Sequence, residues 1–177
     1  MINEFKNNFL GGTRQNRFEI VGDIPTGGKF TKFHVRATIL PQLTTTTIEY
    51  SNFGRKYYYP GEKQYSTWSF NVLDDIGTQQ DMWGMFHTWQ EKINAHATNV
   101  SFVGSGTNYE NYKANNWRVK HLNLNDTGTP LKEYILHGCW PTKIDPLNLN
   151  MSSNNMLNSF NVIIAFDYLQ ITNISRT

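Results

Sequence analysis

A chain of 177 residues has the length of one domain and can bury roughly two-thirds of its unfolded surface. Its 38% hydrophobic, 14% aromatic and 17% charged composition excludes a disordered chain, which carries more charge and too little apolar surface to offset its conformational entropy. The 16 Lys and Arg against 14 Asp and Glu give a net charge of +2, which argues against a dedicated nucleic-acid binder with a dense basic face.

A single cysteine, Cys139, excludes an internal disulfide and a thiolate metal cluster, and fits a reducing compartment. The opening stretch MINEFKNNFLGG holds no apolar run of signal-peptide type. No segment approaches the length that spans a bilayer, so membrane insertion is not expected. The many aromatic and Thr residues favour strands.

Residues 1–16 read as an N-terminal arm or short helix carrying Phe5, Phe9 and Leu10, with a frayed terminus as the alternative. RFEIVG (17–22) alternates, with Phe18 and Ile20 on one face. KFTKFHVRATIL then predicts one half-buried strand, with Phe33, Val35, Ala37 and Ile39 inside and Lys32, His34 and Arg36 wet. TTTTIEY and RKYYY predict a hairpin over 44–59, turned by SNFG and ended by Pro60-Gly61. KQYSTWSFNVL predicts the next strand, with Trp68, Phe70 and Val72 inward.

Over 78–97, Met82, Met85, Phe86, Trp89 and Ile93 recur at three- and four-residue steps and predict a helix. Thr78 reads as its N-cap, with Asp81 completing a capping-box-like start; Asp74 and Asp75 suit the positive end of its dipole. Residues 98–116 have no period and read as a long surface loop. WRVKHLNLN with PLKEYILHG, then PLNLNM with LNSFNVIIAFDYL, read as hairpins around DTGT and SSNN. In the last strand Phe160, Val162, Ile164, Phe166 and Tyr168 face one way, and residues 169–177 form a C-terminal tail. The pattern predicts a mainly β fold in one domain: a two-sheet antiparallel β-sandwich or partly closed barrel with one α-helix.

Chemistry is hard to find. GSG at 104–106 lacks the lysine and context of a phosphate loop, and no Ser sits in a nucleophile elbow. His87 and Glu91 have the i, i+4 spacing of metal ligands but no third partner, so they read as a solvated helix face. His137 and Cys139 read as a strand residue beside a small buried thiol rather than a catalytic couple. Trp140-Pro141 reads as core at a strand end. No catalytic, metal or cofactor site is assigned, and the chain does not read as an enzyme.

The strands at 44–50 and 55–59 are long, rich in Thr and Tyr, and scarcely defended against edge pairing. Tyr57 and Tyr59 point one way and Tyr58 the other, so both faces call for cover that one domain does not supply. Tyr50, Arg55, Tyr57, Tyr58 and Tyr59 are therefore candidate subunit contacts, with Phe5 and Phe9 as second candidates.

RATILP (36–41), GRKYYYPGEKQYSTWSFNVLDD (54–75), HGCWPTKID (137–145) and SSNNMLNSFNVIIAFDY (152–168) occur in this order. Together they resemble the tail-tube proteins of T-even-like contractile-tailed phages, over nearly the whole chain. The resemblance implies a structural virion protein forming six-subunit rings, stacked into a tube inside a contractile sheath, through which DNA passes during ejection. Its implied partners are its own copies, the tail sheath protein, and the baseplate and tape-measure proteins, with assembly in the host cytoplasm. No cofactor comes with the family. A baseplate tube-initiator or the inner tube of a contractile injection system is the neighbouring alternative; a carbohydrate-binding β-sandwich is the alternative of another class.

Overall fold

In the computed structural model, which describes residues 14–25, 27, 29–30, 34–75, 81–96, 112–122, 130–152 and 156–173, Trp and Phe side chains hold two antiparallel sheets face to face. The strands are β1 (Phe18–Asp23), β2 (Lys29–Phe30), β3 (Val35–Ile39), β4 (Leu43–Asn52), β5 (Arg55–Tyr65) and β6 (Trp68–Leu73). Helix α1 (Met82–Ile93) follows, then β7 (Trp117–Leu122), β8 (Pro130–His137), β9 (Trp140–Ile144), β10 (Ser159–Ala165) and β11 (Tyr168–Asn173). One sheet has the order β11-β8-β7-β1-β2 and the other β3-β6-β10-β9; neither closes on itself among the described strands. Strands β4 and β5 form a third sheet of their own. The fold is the mainly β, one-helix architecture that the alternation predicts.

Period-two alternation builds the core. In the four-stranded sheet Phe160 pairs with Val72, Val162 with Phe70 and Ile164 with Trp68, all buried. Ile20, Trp117, Val119 and Leu136 answer from the other sheet. The Trp117 ring lies 5.7 Å from Trp68 and 5.6 Å from Phe70, so the sheets meet through aromatic contacts. Helix α1 adds its buried stripe of Met82, Phe86 and Trp89. Phe86 touches rings from both sheets, at 6.2 Å from Phe160 and 6.4 Å from Trp117. The Trp89 indole donates to the Tyr112 carbonyl at 2.6 Å.

The helix is shorter than its apolar period. It spans Met82–Ile93 rather than 78–97, and its N-cap is Asp81, whose carboxylate accepts from the Gly84 N–H at 3.1 Å. Thr78, the expected cap, lies outside the described residues. An aspartate already positioned on a free N–H starts the helix without a partner three residues upstream. Asp74 still lies near this terminus, where the Trp83 backbone N–H favours its ionised form.

Four further expectations are corrected. The run KFTKFHVRATIL is not one strand: β2 ends at Phe30 and β3 begins at Val35, with residues 31–33 outside the described residues. A register shift between Val35 and Ala37 reverses the faces, because one extra residue in a period of two swaps inside for outside. Ile39 is thus 76% exposed, while Thr38 turns in to accept from the Trp68 indole at 2.9 Å; His34, expected wet, precedes β3 and is buried. PLNLNM is not a strand, since β10 pairs with β9 and β6 instead. The final strand is two: β10 ends at Ala165, and β11, from Tyr168 to Asn173, joins the other sheet, so residues 169–173 of the expected tail are a paired strand. Finally, the expected surface loop ends in an anchor, for Ala114 is buried and exchanges backbone hydrogen bonds with Cys139, 2.8 Å each way.

Candidate interaction surface

The chemical candidates do not converge. Cys139 is buried, and burial first, with the charge of Asp167 second, pushes its thiol up to about 12, so it is not a nucleophile. His137 turns away to stack on Tyr168, rings 4.4 Å apart; Gly138 separates the two residues with φ +68, the left-handed region that breaks strand alternation. His87 packs on Trp83 at 4.4 Å and Glu91 is exposed. Among the described residues no group of three His, Cys, Asp or Glu is placed to hold a metal, and no helix is long and apolar enough to cross a membrane.

The hairpin is the exception. It runs over Leu43–Tyr65, not 44–59, and Pro60-Gly61 does not end it. Both of its strands are edges, and an edge strand tolerates Pro because the missing N–H leaves no ladder partner wanting. Gly61 is required here, as a Cβ at this position would meet the Thr46 hydroxyl at 2.5 Å. Strands of 10 and 11 residues reach about 30 Å at a rise of about 3.3 Å per residue. The predicted KQYSTWSFNVL strand is divided accordingly, with Tyr65 closing β5 and Trp68 opening β6.

This hairpin is a continuation of the β3–β6 pair beyond its sheet. Gln42 and Ser66 close its base: the Ser66 N–H donates to the Gln42 carbonyl at 3.0 Å, and the Gln42 N–H to the Ser66 hydroxyl at 2.7 Å. Tyr65 rests on Phe166 at 5.4 Å between ring centres. Beyond that base every residue from 51 to 60 is exposed.

Register sorts the side chains. Ile48 pairs with Tyr59, Tyr50 with Tyr57, and Asn52 with Arg55, so these six share one face. The alternate pairs, Glu49 with Tyr58 and Ser51 with Lys56, share the other, where Lys56 and Glu49 form an ion pair at 2.6 Å. Such a solvated pair adds little stability, but it makes that face polar. The first face is apolar and uncovered, with Ile48, Tyr50 and Tyr59 each more than half exposed. The structure thus brings Tyr50, Arg55, Tyr57 and Tyr59 together and sets Tyr58 on the reverse side. Phe5 and Phe9 lie outside the described residues.

Two residues of this surface were missed in the sequence. Ile48 belongs to the tyrosine face, and the alternation of TIEY carries that signal. Phe53 is 98% exposed at the tip with φ +48, followed by Gly54 at φ +75. Two successive positive φ angles make the tight hairpin turn that matches strand twist, a turn that prefers Asn or Gly at its first position. A bulky ring held there is an outlier of the kind kept at functional sites.

Known proteins share the sequence and the fold. The family described as "Phage tail tube protein" matches residues 13–172. The chain is 28% identical over 155 residues to the tail tube protein gp19 of Enterobacteria phage T4, covering 88% of this chain and 89% of that one. The counterpart from Enterobacteria phage T6 is 29% identical with the same coverage. Among solved structures, the sheath/tube terminator of the PVC extracellular contractile injection system superposes with a TM-score of 0.67 at 16% identity, over 93% of this chain and 99% of that one. The sheath-tube complex of the same system gives 0.64 at 14% identity, over 98% and 99%.

Proposed function

The chain belongs to the phage tail tube protein family, and on that premise we propose that its hairpin is the contact by which copies stack into the inner tube of a contractile tail. The protein is a structural tail tube subunit. The observation that carries the hairpin's role is a sheet of its own, projecting from the domain, with an apolar face of Ile48, Tyr50, Tyr57 and Tyr59 left uncovered. Head-to-tail contacts give rings when the rotation closes and open stacks when a translation is added; a tube uses both. Identity of 28% and 29% with phage tail tube proteins, against 16% and 14% with the injection-system chains, favours a phage tail.

In this reading the rings are hexamers, the tube lies within a sheath, and baseplate and tape-measure proteins meet it during assembly in the host. DNA traverses the bore. A basic side chain lining that bore recurs in every subunit, and phosphate neutralisation accumulates steeply with contact number. The lumen is therefore polar and neutral or acidic, with Lys and Arg turned outward.

Tyr57 and Tyr59 are the proposed anchors, with Arg55 and Tyr50 beside them and Tyr58 on the reverse face. Tyr and Arg dominate interfaces, each costing roughly 2 kcal/mol or more on truncation at a hot spot. Tyr57→Ala combined with Tyr59→Ala is expected to give folded, soluble subunits that form no rods in negative-stain micrographs. Tubes of normal length from this variant would refute the assignment.

A further inference from the structure

A stack built head to tail needs a second surface, unlike the first, for the hairpin to meet. Most of the exposed large apolar side chains of the described residues gather in two places, the hairpin and the connection between β9 and β10; Ile39 on β3 and Tyr168 and Ile171 on β11 stand apart. In that connection Leu149 is 83% exposed, Met151 103%, and Met156 and Leu157 77% each. No charged residue occurs from Pro146 to Phe166. An apolar patch of this kind, rimmed by asparagines and carrying no charge, marks a protein contact.

Topology sets the two patches at opposite ends of one sheet. The hairpin leaves β6 at Trp68, whereas β10 enters beside Leu73, its Ser159 pairing with that residue. The Asn158 carbonyl accepts from the Asp74 N–H at 3.0 Å, which pins the connection to the far end. A translation along the strands therefore carries the hairpin of one copy onto the β9–β10 connection of the next.

Chemistry agrees with the placement. The connection forms a groove of about 590 Å³ between Leu149, Met156, Leu157 and the amides of Asn148, Asn150 and Asn158, within the size range that accepts a ligand larger than one aromatic ring. Methionine adapts its shape to a ring. The amides offer acceptors to tyrosine hydroxyls, which need partners when buried. The ion-paired face of the hairpin, with Glu49 and Lys56, has no counterpart in a charge-free groove, so the Tyr57–Tyr59 face is the one that fits.

We infer that the described residues of the Leu/Met connection, 146–152 and 156–158, are the receptor for the hairpin of a second copy of this chain, docked through Ile48, Tyr50, Tyr57 and Tyr59. This rests on the stacking role proposed for the hairpin and adds its mate. Leu149→Asp with Leu157→Asp alters only exposed side chains, and circular dichroism is expected to match the parent. Alone, this variant forms no tubes, and neither does Tyr57→Ala with Tyr59→Ala. Mixed in equal amounts, the two retain one intact hairpin and one intact groove between them. They are expected to give a discrete stacked pair that does not elongate, read by negative-stain microscopy and mass photometry. A second readout is the chain carrying both Tyr59→Cys and Leu157→Cys, which on oxidation is expected to yield a disulfide-linked ladder of copies, the native thiol being buried. Tubes from the Asp variant alone overturn the inference and leave the hairpin's role intact; tubes from the Ala variant alone overturn that role itself. A mixture no larger than its components, or oxidation without a ladder, overturns the pairing.

Discussion

Phe53 carries a conflict between the fold of one subunit and the needs of many. Its φ of +48 costs a bulky residue on the order of 1–3 kcal/mol, and Asn adopts that conformation far more readily. Phe53→Asn is expected to raise the subunit's own stability by about 1 kcal/mol, seen as a higher melting temperature, while weakening tube formation if the ring is a contact. A lower melting temperature would place the ring in local packing instead. Two aspartates act in opposite senses on acidification. The Lys143 hydrogen bond, then that of Asn161, holds the Asp145 carboxyl below its ordinary value, so its contribution is present above the unfolded pKa and lost as pH falls through the lower folded one. Burial, then the charge of Asp81, pushes the Asp74 carboxyl up, so ionising it on folding costs stability as pH rises from the unfolded pKa through the folded one. Asp145→Asn is accordingly expected to lose stability at neutral pH and to flatten the acid limb of a urea-midpoint profile below pH ~4. Asp74→Asn is expected to be neutral or stabilising at pH 7.

At the scale of elements, legibility followed what each pattern physically reports. Alternation in β6 and β10 marks burial because partners exist on both sides, and Phe70, Val72, Phe160 and Val162 are where the period puts them. The same alternation in PLNLNM marks no strand: Leu147 packs against the core, but Leu149 and Met151 have no strand to pair with and stand exposed. The β3 bulge left no trace in the letters, since it is set by pairing with β6. The tyrosines identified the hairpin, yet Pro60-Gly61 concealed its length, because a two-stranded sheet is all edge and accepts both residues. A lone two-stranded sheet is marginal in water. The amides of β4 and β5 are therefore expected to exchange with deuterium orders of magnitude faster than those of β6 and β10 in free subunits, and to become protected in tubes. Equal protection in both states would mean that the hairpin is already supported within its own domain.

For the molecule as a whole, the character of the contact decides how assembly responds to solvent. Charge could drive it: the subunit has 16 basic and 14 acidic side chains, and the Glu49–Lys56 pair sits on the hairpin itself. Yet that pair is satisfied within the chain, the tyrosine face carries only Arg55 at its tip, and the β9–β10 connection carries no charge. Raising the salt from 0.05 M to 0.5 M shortens the Debye length from about 14 Å to about 4 Å, which suppresses attraction between exposed charges and leaves apolar burial nearly untouched. The critical concentration for tube growth, measured by light scattering, is therefore expected to change less than about three-fold over that range of sodium chloride, and to fall in sulfate, which strengthens burial. A contact held by ion pairs would weaken many-fold in sodium chloride, multiplied through every subunit of a ring, and tubes dissolving there would place the stacking energy in charges rather than in the tyrosine face.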